Sequence, residues 1–70
     1  MNEAQRDFLR RLNEYVAIWR DGGGSEVEQL TARIIRGIDR PQRRRRYLST
    51  QPNPSIDDYI DFAHQERNRT

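Results

Sequence analysis

Arginine carries the most suggestive chemistry in this 70-residue chain. Arg40, Arg43, Arg44, Arg45 and Arg46 put five guanidinium groups into seven residues, with no acid among them. A guanidinium is a planar fork. It grips a phosphate or a carboxylate through two hydrogen bonds and stacks on flat rings, which an ammonium does less well. The rest of the chain carries eight arginines against eleven acids, a balance of −3, so the net charge of +2 conceals a concentrated basic segment. Gln29, Arg33 and Arg36 lie at helical spacing just upstream, and Arg40 continues their line if the helix persists that far. This pattern predicts phosphate contacts by Arg43, Arg44, Arg45 and Arg46, with Arg33, Arg36 and Arg40 beside them. Gln29, Arg33 and Arg36 are then the candidates for base-edge contacts.

A plainer account competes with this one. Asp57, Asp58, Asp61 and Glu66 follow the run, with no basic residue between Arg46 and Arg67. The arginines can pair with that acidic segment, within one chain or between subunits, or meet the acidic surface of a larger protein. All thirteen basic residues are arginine, whose codons are GC-rich, which predicts a high-GC prokaryote or its phage as the source.

Other groups offer less. His64 is the only histidine, and Ser49 and Ser55 are separated from it by a stretch with no nucleophile-elbow pattern. Gly22, Gly23, Gly24 and Ser25 lack the lysine and the spacing of a phosphate loop. Asp57 and Asp61 sit one helical turn apart, but Asp58 points elsewhere and no loop supplies further oxygens for a cation. There is no cysteine, so neither a disulfide nor a zinc site is expected. These features predict a non-enzymatic protein without metal or cofactor. No zinc-ligand set, heptad zipper or aromatic RNA-binding strand signature is present either.

Aromatic residues supply a second kind of contact. Phe8, Tyr15, Trp19, Tyr47, Tyr59 and Phe62 read mostly as core. The apolar arc of the first helical segment is wide, however, once Ile18 is counted. Tyr15, Ile18 and Trp19 are therefore candidate anchors for a protein partner.

The elements that position these groups follow from the periodicity. Phe8, Leu12, Tyr15, Val16 and Trp19 predict a helix over about 3–20, closed by the glycine run. Ser25 with Glu28 is a capping-box pattern opening a helix over about 25–38. Val27, Leu30, Ile34 and Ile38 are expected on its core face, with Thr31 and Ile35 beside them. Pro41 ends it and pushes Arg40 toward extended backbone. Ser55, Asp57 and Asp58 open a third helix over about 55–66, with a fraying tail from 65 to 70. The basic segment 40–48 reads as a short helical turn or an ordered loop, pinned by Tyr47 and Leu48.

The expected fold is all-α: one small domain over 1–70, a helical hairpin with a third helix packed across it. Apolar residues make up 33% of the chain, below the roughly 45–50% usual for globular domains, so the core is marginal and a homo-oligomer is possible. No segment approaches the roughly 20 apolar residues that span a bilayer, and the first residues lack a signal-peptide core. This predicts a cytoplasmic protein without membrane contact. Its expected role is that of a small regulatory protein binding nucleic acid or a nucleoprotein complex. The alternative is a protein-interaction module, such as a phage or bacterial inhibitor or a small subunit.

Overall fold

The computed structural model describes residues 1–69. It is all-helical among those residues, in the order α1 (Glu3–Asp21), α2 (Glu26–Ile38), α3 (Pro41–Thr50) and α4 (Ile56–Arg67). Each start has a local cause. Asn2 caps α1: its side chain accepts the Gln5 N–H at 2.8 Å, and the Gln5 side chain accepts the Asn2 N–H at 3.0 Å. Ser25 and Glu28 form the same reciprocal box on α2, at 3.1 and 2.9 Å. Accepting the Ser25 N–H holds the Glu28 carboxyl below its ordinary value. On α4 the Ser55 hydroxyl accepts the Asp58 N–H at 3.2 Å, and Asp57 and Asp58 occupy the first turn. Helix α1 stops where Gly22 turns left-handed, with φ of 73°.

Four helices stand where three were expected, because the basic segment is itself helical. The proline that ends α2 also begins α3. Arg40 is extended, as the residue before a proline prefers, and Pro41 occupies the first helical position, where its missing N–H is no loss. The break also separates Arg40 from Arg33 and Arg36, so no single helical stripe joins them to the run.

The core gathers Phe8 and Leu12 from α1, Ala32, Ile35 and Ile38 from α2, Tyr47 from α3, and Tyr59 and Ala63 from α4. Its centre is aromatic. Phe8 stands edge-on to Tyr59 at 5.5 Å, Tyr47 lies 5.1 Å from Tyr59 and 5.5 Å from Phe8, and Phe62 flanks Tyr47 at 5.3 Å. Both buried phenols need partners. The Tyr47 hydroxyl donates to Asp58 at 2.8 Å and accepts the Ser55 N–H at 3.1 Å. The Tyr59 hydroxyl donates to Asp39 at 2.8 Å. Gln5 ties α1 to the end of α3 by donating to the Leu48 and Gln51 carbonyls at 3.0 and 3.2 Å. Tyr47 and Leu48 thus anchor the basic segment as expected, Tyr47 fully buried and Leu48 half-buried.

Helix α2 is rotated from its expected orientation. Ile38 is buried, but its neighbours in the core are Ala32 and Ile35; Val27 is 73%, Leu30 56% and Ile34 38% exposed. Two apolar stripes lie side by side on this helix, and only one can face inward. The protein measures 32 × 32 × 17 Å, less than two helix diameters deep, so nothing lies above α2 to cover the second stripe. The small Ala32 side chain lets a neighbouring helix approach closely, which favours its stripe for the interior.

Candidate interaction surfaces

The arginine run lies on α3, and most of it is engaged. Asp39, in the corner between α2 and α3, receives the Arg44 guanidinium as a two-point fork: Nε reaches Oδ1 at 3.2 Å and the second nitrogen reaches Oδ2. The same Oδ1 accepts the Tyr59 hydroxyl. This bond to Asp39 raises the Arg44 pKa further, while burial and the neighbouring carboxylate push the Tyr59 phenol well above its ordinary value. Burial likewise pushes Tyr47 up to about 12. Glu66 of α4 holds two more arginines. Arg46 donates to its Oε1, and Arg43 Nε lies 3.6 Å from its Oε2. That Nε is buried and has no hydrogen-bond acceptor, while the other end of the Arg43 fork donates to the Ile38 carbonyl.

The expected basic surface therefore divides. Arg43, Arg44 and Arg46 are in ion pairs with Glu66 and Asp39. Arg36 stacks over the Trp19 ring, 5.1 Å from its centre. Arg33, Arg40 and Arg45 are exposed and make no ion pair among the described residues; Arg40 donates to the Asp39 carbonyl at 2.7 Å. Gln29 is turned to the glycine connector, where its amide donates to the Ile18 carbonyl at 3.1 Å and to the Gly23 carbonyl. The acids that bind the run are Asp39 and Glu66, whereas Asp57 and Asp61 are exposed. Asp39 was missed because its partner Arg44 lies five residues away, around a helix–helix corner.

The aromatic anchors divide too. Tyr15 is half-buried and lines a depression with Phe8, Arg11, Val27 and Thr31. Trp19, 43% exposed, lines a different one with Val16, Arg36 and Arg44. Ile18 is half-buried against the glycine connector. Val27, Leu30 and Ile34 instead form an uncovered apolar ridge along α2. It runs between the Tyr15 depression and a shallow one lined by Glu26, Gln29 and Arg33.

His64 is exposed in the last turn of α4. Among the described residues, no three His, Cys, Asp or Glu side chains gather in a way that could hold a metal ion. Nor, among those residues, is any helix long and apolar enough to cross a membrane. Compared with known proteins, the chain matches no family model, no curated protein and no solved structure.

Proposed function

We propose that this chain is a small non-enzymatic binding protein whose principal contact is with protein, made through the exposed ridge of α2. The observation that carries the reading is the orientation of α2, which turns Val27, Leu30 and Ile34 to solvent in one line. Single exposed apolar side chains are ordinary, but three in register along one helix make the kind of patch that marks an interaction site. The arginine run supports this reading by what it lacks. Three of its four consecutive guanidinium groups are already paired with carboxylates, and each pair must be opened or shared before those groups serve a phosphate.

Nucleic-acid contact is the second reading. Arg33, Arg40 and Arg45 favour it, since all three are exposed without an ion pair among the described residues. Each such arginine can neutralise one phosphate and release a counterion, so binding through them would fall with salt.

Two assays on wild type, Leu30→Asp and the Arg40→Ala/Arg45→Ala double variant separate the readings. In the first, tagged protein captures partners from an extract of the source cells. In the second, anisotropy follows labelled duplex DNA, single-stranded DNA and hairpin RNA at two salt concentrations. A partner lost with Leu30→Asp and kept by the arginine variant, together with weak and unselective nucleic-acid binding, is the expected result. Salt-steep nucleic-acid binding that ignores Leu30→Asp and disappears in the arginine variant would overturn it.

A further inference from the structure

Helix α2 carries its charges unevenly along the ridge. Glu26 borders the ridge at its N-terminal end, and Arg33 borders it on the same flank seven residues later. Two turns separate them, about 10 Å along the axis. Against a parallel copy packed ridge to ridge, this flank would lie on the opposite side of the contact from its counterpart, so neither charge would meet its partner. A helix running antiparallel would set each acid against an arginine.

Gly37 adds an independent observation. It lies three residues beyond Ile34 and so continues the ridge toward the end of α2. A Cβ built at Gly37 would meet nothing within 4 Å, and its backbone is ordinary right-handed helix. Nothing inside the chain requires a glycine there. Glycine late in a helix costs roughly 1 kcal/mol relative to alanine. What the missing side chain provides is a flat place on the ridge where another backbone can approach closely.

We infer that the α2 ridge is a self-association surface, covered by the α2 ridge of a second copy of this chain in antiparallel, two-fold arrangement. This deepens the protein-binding reading of the same ridge, on which it rests, by naming the partner. Centred near Leu30, the arrangement lays Val27 of each copy toward Ile34 of the other and Leu30 against Leu30. It brings Glu26 of each copy toward Arg33 of the other, twice by symmetry. Gly37 then lies against the Gly23–Gly24 connector of the second copy, two segments free of bulky side chains. The ridge enters the shallow depressions on either side of its counterpart, as in ordinary helix packing.

The size of the surface sets the strength. Thirteen residues of α2 make a contact about 20 Å long, which falls short of the roughly 1,200 Å² buried by stable interfaces. The dimer is therefore weak and reversible. At the low concentrations of a capture experiment the ridge is open. At high local concentration it is covered, so self-association competes with any other protein that uses it.

Sedimentation equilibrium of the full chain up to about 1 mM tests this. The wild type is expected to show a reversible monomer–dimer equilibrium. Leu30→Asp raises the dissociation constant by at least about a hundredfold. Glu26→Arg and Arg33→Glu each raise it about tenfold, and the double variant carrying both changes returns it to near the wild-type value, since the pairs are re-formed with signs exchanged. Because the chain has no cysteine, oxidation gives a geometric check that does not depend on Leu30→Asp folding. Leu30→Cys is expected to form a disulfide-linked dimer readily, and Arg36→Cys, on the Trp19 side of the helix, is not. A wild type that stays monomeric at about 1 mM overturns the inference and leaves the ridge's contact with other proteins to the capture assay. A dimer indifferent to Leu30→Asp places the interface elsewhere. A dimer weakened by both single charge changes but not restored by the double overturns the antiparallel arrangement.

Discussion

The aromatic end of the protein and the outer face of α2 use similar apolar residues for opposite purposes. At the aromatic end, Phe8, Tyr47 and Tyr59 are in mutual contact, and both phenols are hydrogen-bonded to carboxylates. On α2, Val27, Leu30 and Ile34 remain 73%, 56% and 38% exposed. The difference does not lie in hydrophobicity, since Leu30 and Ile34 are more apolar than either tyrosine. It lies in what the rest of the chain can reach. Four short helices make a slab too thin to cover both stripes of α2. The tyrosines combine large apolar area with a hydroxyl that closes the α2–α3 corner through Asp39 and the α3–α4 connection through Asp58 and Ser55. Stability is therefore concentrated at one end, and the uncovered stripe is left for binding.

That contrast is broken most severely at Tyr47. Truncation to Tyr47→Ala removes a fully buried ring and is expected to cost about 3–5 kcal/mol, comparable to the whole stability of a chain this size. Leu30→Ala on the ridge is expected to change monomer stability by less than about 0.5 kcal/mol. Urea denaturation followed by circular dichroism at low protein concentration distinguishes them. Equal losses in the two variants would mean that α2 buries the ridge.

A smaller effect is expected at Asp39, which accepts from both Arg44 and Tyr59. Asp39→Ala leaves a half-buried guanidinium and a buried phenol without their shared acceptor. Its expected cost is about 2 kcal/mol, whereas Arg45→Ala costs less than about 0.5 kcal/mol. Thermal melts of the two variants give the comparison.

The alkaline limb of stability sharpens the same point. A phenol whose folded pKa lies above its unfolded value favours the neutral form in the native state. Its contribution is fully present below the unfolded pKa near 10 and is lost as pH rises through the folded value, about 12 for Tyr47. Tyr59 shifts in the same direction. Stability is expected to fall between pH 10 and 12, by about 2 kcal/mol for Tyr47. Tyr47→Phe should flatten that limb, and Leu30→Ala should leave its shape unchanged, in urea titrations across this range.

Much of the fold was legible because it is written in local chemistry. Ser25 with Glu28, Ser55 before two aspartates, and the glycine run each mark a helix boundary within a few residues. Phe8, Leu12, Tyr47 and Tyr59 stood out as core because large side chains recur at helical spacing or interrupt a polar segment. The rest depended on tertiary geometry. Helix α3 was legible only as a short helical turn or a loop because four consecutive arginines repel within a helix; Asp39 and Glu66 offset that repulsion, and neither partnership is visible at helical spacing. The rotation of α2 was missed because Val27, Leu30 and Ile34 make as good a stripe as Ala32, Ile35 and Ile38. Choosing between them requires knowing what packs above. Of the basic residues proposed for binding, Arg33, Arg36, Arg40 and Arg45 remain exposed without an ion pair among the described residues, Arg36 being stacked on Trp19. The pairing of Arg43 and Arg46 with Glu66 follows the expected pairing of the run with the acidic segment, whereas that of Arg44 with Asp39 was not anticipated.

Binding through α2 depends on which of its stripes faces water, and thiol reactivity reads this directly in a chain without native cysteine. Leu30→Cys and Ala32→Cys would each be treated with a chromogenic thiol reagent at dilute protein concentration, in preparations whose helix content matches the wild type. The expected result is that Leu30→Cys reacts near the rate of a free thiol and Ala32→Cys at least about a hundredfold more slowly, since its thiol is reached only through local opening. A protected Leu30→Cys beside a freely reacting Ala32→Cys would contradict the account.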